Sequence, residues 1–174
     1  RQRQMCIRDS HQGDEVFAQP VESDDFVLLF NGDLYMKEIK ESDTKYIFEM
    51  FSKVETEDEL LNVFMRLEGP FSIILLFKSK LYIARDFLGR NSLLIGKSFE
   101  GIFLTSVFDP AGETSNVVEL PPLGIFVIDI KSHHVELIPY QELSVLQHYL
   151  EQLELLKKIT EVKLRSPISQ DHQE

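Results

Sequence analysis

An α+β sandwich is the fold class this sequence predicts. Two amphipathic helical segments stand together in the first third of the chain. A run of short apolar strands follows them. Several of those strands are apolar at consecutive positions, which means burial on both faces and a covering layer on each side.

The elements follow in order. Phe26-Val27-Leu28-Leu29-Phe30 is an apolar run that closes on Asn31-Gly32, read as a buried strand with a sharp turn after it. Asp43 opens a stretch with apolar residues at Tyr46, Ile47, Met50, Phe51 and Val54, one face of a helix, and Asp43 itself suits the N-cap. Thr56-Glu57-Asp58-Glu59 has the capping-box spacing, and Leu60, Leu61, Phe64 and Leu67 continue a second helix until Gly69-Pro70 stops it. Phe71 to Phe77 is almost wholly apolar, Lys78-Ser79-Lys80 turns the chain, and Leu81 to Ala84 returns as the hairpin partner. Further strands are expected at 92–95, 102–106, 125–130 and 135–138. Beyond Pro139, Leu146, Tyr149, Leu150, Leu153, Leu156 and Ile159 keep helical spacing, so 142–164 is expected to be one long amphipathic helix, with a polar tail over 166–174.

Composition narrows the function classes. The chain has 174 residues, 43% of them hydrophobic, enough to bury a core. A net charge of −11 repels phosphate backbones, so no nucleic-acid partner is expected. A single cysteine, Cys6, leaves no internal disulfide to form. No stretch reaches the roughly 20 apolar residues of a membrane helix. No membrane partner is expected, and a cytoplasmic setting is the default. The adjacent pair His133-His134 diverges in direction and has no accompanying ligand cluster, so it reads as a hairpin turn rather than a metal site.

Several short motifs then occur in a fixed order: Gln19-Pro20-Val21, Phe30-Asn31-Gly32-Asp33-Leu34-Tyr35, Asp43-Thr44, Gly69-Pro70-Phe71, Ala84-Arg85-Asp86-Phe87-Leu88-Gly89-Arg90 and Glu119-Leu120-Pro121-Pro122. Each alone is weak. The ordered set, over residues 19–131, resembles the glutaminase domain of asparagine synthetases, a class II (Ntn-type) glutamine amidotransferase. Thr105-Ser106-Val107 departs from the Ser-Glu usual there and points to a divergent, asparagine-synthetase-like branch, and away from phosphoribosyl or hexosamine-phosphate amidotransferases.

The resemblance implies an incomplete four-layer αββα sandwich followed by a C-terminal helix. It implies glutamine as substrate, hydrolysed to glutamate and ammonia for asparagine biosynthesis through a thioester on an N-terminal cysteine. Asn31 and Gly32 match the oxyanion hole: glycine lets its N–H approach closely, and the Asn side chain offers a second donor. The alternative for both is a plain strand-ending turn. Asp43 matches the carboxylate that holds the glutamine α-amino group, a role compatible with a helix cap. Asp33 stands where Glu is more usual. Arg85 and Asp86 read as structural, fixing a loop, and Gly89 as a positive-φ turn residue.

Residues 1–10, Arg-Gln-Arg-Gln-Met-Cys-Ile-Arg-Asp-Ser, fit no structural pattern and resemble a translated sequencing adaptor; they are set aside as non-native. On that reading 11–140 is a partial amidotransferase domain that has lost its front, Cys6 is not the nucleophile, and 141–174 leads toward a missing synthetase domain. No cofactor is expected in this chain, ATP and Mg belonging to that missing domain. The resulting expectation is an inactive fragment of a glutamine-dependent asparagine-synthetase-like protein. The alternative is a degenerate module that keeps the fold for interaction only.

Overall fold

A computed structural model describes residues 18–40, 42–98, 101–107, 117–140, 150–158 and 162–165. The first strands are β1 (Val21–Glu22) and β2 (Phe26–Gly32), followed by helices α1 (Asp43–Phe51) and α2 (Glu57–Arg66). Next come β3 (Phe71–Phe77), β4 (Lys80–Arg85), β5 (Leu94–Ser98), β6 (Gly101–Thr105) and β7 (Val117–Glu119). The described chain ends with β8 (Gly124–Asp129), β9 (Val135–Pro139), α3 (Leu150–Lys157) and β10 (Val162–Leu164). Seven strands form one sheet in the order β1-β2-β3-β4-β8-β9-β10, and β6-β5-β7 form a second.

Alternation along the strands sorts the core into two. On one face of the large sheet, Phe26, Leu28 and Phe30 of β2 and Phe71, Ile73, Leu75 and Phe77 of β3 pack under the helices, against Ile47, Phe51, Leu60 and Phe64. On the other face, Ile83, Phe126, Ile128 and Leu137 meet Ile95, Leu120 and Leu123, the layer that holds the small sheet. β8 is buried on both sides, as expected of these apolar runs, whereas β2 and β3 are buried on the helix face and half-buried at Val27, Leu29, Ile74 and Leu76 on the other. α3 touches β7 and buries Leu156 in this second cluster. Helices, large sheet, small sheet and α3 make the α+β sandwich. No described helix is long and apolar enough to cross a membrane.

The local signals work where they are self-contained. Thr56 and Glu59 form the expected capping box, the Glu59 N–H donating to Thr56 Oγ1 at 3.3 Å and the Thr56 N–H to Glu59 Oε2 at 3.1 Å. The Glu55 N–H at 2.9 Å and the Thr56 N–H both donate to the exposed Glu59 carboxyl and keep it below its ordinary range. His133 occupies the turn between β8 and β9 at φ 55°.

Two expectations are corrected. Asp43 is not the N-cap of α1: Ser42 holds that position in extended conformation, and Asp43 is the first helical residue. The segment 142–164 is not one helix. Among its described residues, α3 stops at Lys157, and Val162–Leu164 is a strand pairing parallel to β9 through Val135–Leu137. Helical spacing cannot reveal this, because β10 exists only through its partner. Arg165 fastens it: its N–H donates to the Leu137 carbonyl at 2.9 Å, and its guanidinium pairs with Glu57 at 3.2 Å and Glu136 at 3.4 Å. Leu146, Tyr149 and Ile159 of that expected helix lie outside the described residues.

Candidate functional site

β2 ends on Asn31 and Gly32, which pair with Ser72 and Phe71 of β3. The direction of the Gly32 N–H follows from its neighbours. Asp33 donates its N–H toward β3, to the Pro70 carbonyl at 2.9 Å. Phe30 donates its N–H the other way, to the Gln19 side-chain oxygen at 2.7 Å. Successive N–H groups of a strand point to opposite edges. Gly32 is two residues from Phe30, so its amide points to the Gln19 side, away from β3. Among the described residues β1 covers that edge only opposite Leu28 and Val27. The amide therefore faces past the end of β1. By the same alternation the Asn31 side chain lies on the small-sheet face of the sheet, half-buried.

The structure adds a second reason for glycine at 32. A β-carbon there would overlap the Pro70 carbonyl oxygen and the Cα of Phe71. Close approach of two backbones, not only of a ligand, demands the missing side chain.

Asp43 is 9% exposed, and its Oδ2 accepts the Leu34 N–H at 3.1 Å. The start of α1 is thereby tied to Leu34, the second residue after Gly32. Asn31, Gly32 and Asp43 belong to one local unit joined through Leu34. Asp33 differs: its backbone is held by Pro70 while its side chain is exposed.

Arg85 and Asp86 frame this end of the sheet. Arg85 is 2% exposed and donates to three carbonyls: Asn91 at 2.7 Å, Leu120 at 2.6 Å and Gly89 at 2.6 Å; Glu119 pairs with it at 3.0 Å. Asp86 accepts the N–H groups of Phe71, Leu88 and Arg90 and the Arg90 guanidinium at 3.0 Å. Gly89 has φ 62°, the positive value expected of it. The Tyr140 hydroxyl donates to the Arg85 carbonyl at 2.8 Å, and burial raises its pKa well above that of an ordinary phenol. A cleft of about 410 Å³ opens beside this frame, between α2 and the 86–90 loop, with Phe64, Phe71, Phe87 and Tyr140 among its lining. None of Asn31, Gly32, Asp33 and Asp43 lines it.

One residue of the site had no role assigned from the sequence. Asn91 donates from Nδ2 to the Asn31 carbonyl at 2.8 Å and to the Pro70 carbonyl at 3.4 Å. The only signal available was its place directly after the Arg85–Arg90 motif. Among the described residues no group of three His, Cys, Asp or Glu side chains converges on a metal position. Cys6 lies outside the described residues.

The glutamine amidotransferase domain family matches residues 2–110, more than half of the chain, and the chain belongs to that family. The match takes in most of the ten residues set aside as adaptor-like. Among curated relatives, an asparagine synthetase domain-containing protein of Drosophila melanogaster is 40% identical over 141 residues, 76% of this chain and 24% of its own. Asparagine synthetase domain-containing protein 1 of Bos taurus is 40% identical over 127 residues, 66% of this chain and 19% of its own. The relative from Saccharomyces cerevisiae is 32% identical over 106 residues. The chain thus spans a quarter or less of the relatives it matches. Among solved structures, a glutamine phosphoribosylpyrophosphate amidotransferase from B. subtilis gives a TM-score of 0.51 at 20% identity, covering 64% of this chain and 30% of the other. That likeness establishes the fold alone, an Ntn-type amidotransferase sandwich.

Proposed function

We propose that this chain supplies the glutamine-binding end of an amidotransferase site within a longer, cytoplasmic asparagine-synthetase-like protein. The glutamine side-chain carbonyl rests against the Gly32 N–H and the Asn31 side chain, and Asp43 faces the substrate ammonium. Asp33, exposed on the same turn, is the outer contact. Ammonia released there serves asparagine synthesis in a synthetase domain that carries ATP and Mg.

The observation that carries this reading is the direction of the Gly32 amide, past the end of β1 and away from β3. A buried strand holds it from one side and the Pro70 turn from the other. A donor fixed before substrate arrives needs no reorganisation as charge develops on the oxygen, and such donors are each worth about 10²–10³ in rate.

By itself the chain is proposed to bind glutamine without turning it over, because its single cysteine, Cys6, lies inside the adaptor-like stretch Arg-Gln-Arg-Gln-Met-Cys-Ile-Arg-Asp-Ser. Ammonia release from glutamine by the 174-residue chain is expected to be absent. Release that disappears on Cys6→Ala overturns that part. Titration of the ¹⁵N-labelled chain with glutamine is expected to move the Gly32 and Asp33 amide signals. Saturating glutamine with no change at either residue overturns the site.

A further inference from the structure

We propose that Asn91 is a positioning residue that locks the Gly32 amide in the direction strand pairing gives it. The inference rests on the reading of Gly32 as the glutamine-facing donor and extends it to a side chain from the opposite part of the chain.

The Asn31 carbonyl and the Gly32 N–H belong to one planar, trans peptide unit, so they point in opposite directions. Whatever holds the carbonyl oxygen aims the N–H. Strand pairing with Ser72 turns that oxygen toward β3, and Asn91 adds a side-chain donor to it at 2.8 Å and to the Pro70 carbonyl at 3.4 Å; Pro70 also accepts the Asp33 N–H. The peptides on both sides of Gly32 are therefore tied to one amide group. Both its neighbours are acceptors, so only the NH₂ end of Asn91 can face them, and its two hydrogens match two partners.

Asn91 is itself fixed. Its carbonyl accepts from Arg85 Nε at 2.7 Å, and Arg85 is buried and anchored to Gly89, Leu120 and Glu119. The line of contacts runs from Arg85, at the end of β4, through Asn91 to the peptide that carries the donor. A turn of that peptide, which would aim a carbonyl at the substrate oxygen, breaks the Asn91 contact.

The test uses the full ¹⁵N-labelled chain, L-glutamine as ligand, and Asn91→Asp, which keeps the size of the side chain and replaces donors by acceptors. The Gly32 amide signal of the free variant is expected to move, and its glutamine dissociation constant to rise about fivefold or more, the effect of one lost hydrogen bond. Thr56→Ala, remote from the site, serves as the control for lowered stability: its melting temperature falls while its glutamine affinity holds. If Asn91→Asp lowers only the melting temperature and leaves both the Gly32 signal and the affinity at wild-type values, Asn91 is merely structural and the inference is overturned, while the glutamine site stands. If the wild-type chain binds no glutamine, the site itself fails and the inference with it. If Asn91→Asp does not fold, Asn91→Ser, with a donor on a shorter arm, carries the same comparison and the same two outcomes.

Discussion

Gly32 and Pro70 stand so close that no side chain fits between them: a β-carbon on residue 32 would overlap the Pro70 carbonyl oxygen. That oxygen cannot withdraw freely, because it accepts the Asp33 N–H at 2.9 Å. Gly32→Ala is therefore expected to push β2 and β3 apart at their ends, costing about 1–3 kcal/mol as overpacking does. Urea unfolding measures it. A variant as stable as wild type would mean that the two backbones are not in contact there.

Arg85 makes its bonds as a planar fork, three of them to carbonyls at 2.6–2.7 Å. Lysine has the charge but cannot reach three divergent acceptors from one nitrogen. Arg85→Lys should lose about 3–5 kcal/mol, the cost of breaking a buried charged network. Chemical denaturation reads the loss, and retention of wild-type stability would show that the fork geometry is dispensable.

Glu57 sits between two cations. Burial raises its pKa, but Lys80 at 2.9 Å and Arg165 at 3.2 Å outweigh that and hold it below the usual 4.5. A carboxyl depressed in the fold stabilises above its unfolded value and loses that contribution as pH falls through the folded one. Wild type should therefore lose more stability than Glu57→Gln between about pH 5 and 3, by less than about 1 kcal/mol since the pair is partly exposed. Parallel melts across that range decide it; identical pH profiles would remove Glu57 from the account. Arg165→Ala should shrink the same difference.

Thr56 begins α2, and its hydroxyl accepts the Glu59 N–H. Removing it with Thr56→Ala is expected to cost about 1 kcal/mol, typical of an N-cap. The melting temperature should fall by a few degrees, and by none if the cap is redundant with the Glu59 side chain.

How much of this was legible depends on how far apart the partners lie. The capping box and the Gly89 turn are written in neighbouring residues, and both are found; the two-sided burial expected of several strands is complete in β8 and partial in β2 and β3. Asp43 was misplaced by one residue because Ser and Asp both suit a cap, and only the backbone conformation of Ser42 separates them. The role of Arg85 as a loop anchor could be read from its place at a strand end. Asn91 could not be read in this way: Asn31, its partner, is 60 residues away. β10 was hidden for the same reason, since Val-Lys-Leu after an amphipathic segment continues the helical pattern until β9 supplies a ladder.

The parallel pairing of β10 sets a polarity. Counting strand directions across the sheet, the C-terminal ends of β2, β9 and β10 all lie at one rim, so Gly32 and Leu164 share it. A helical continuation would have left the heading of the chain undetermined. As built, the backbone reaches Arg165 at the rim that carries Gly32, so a chain continuing from there starts on the side of the proposed glutamine site.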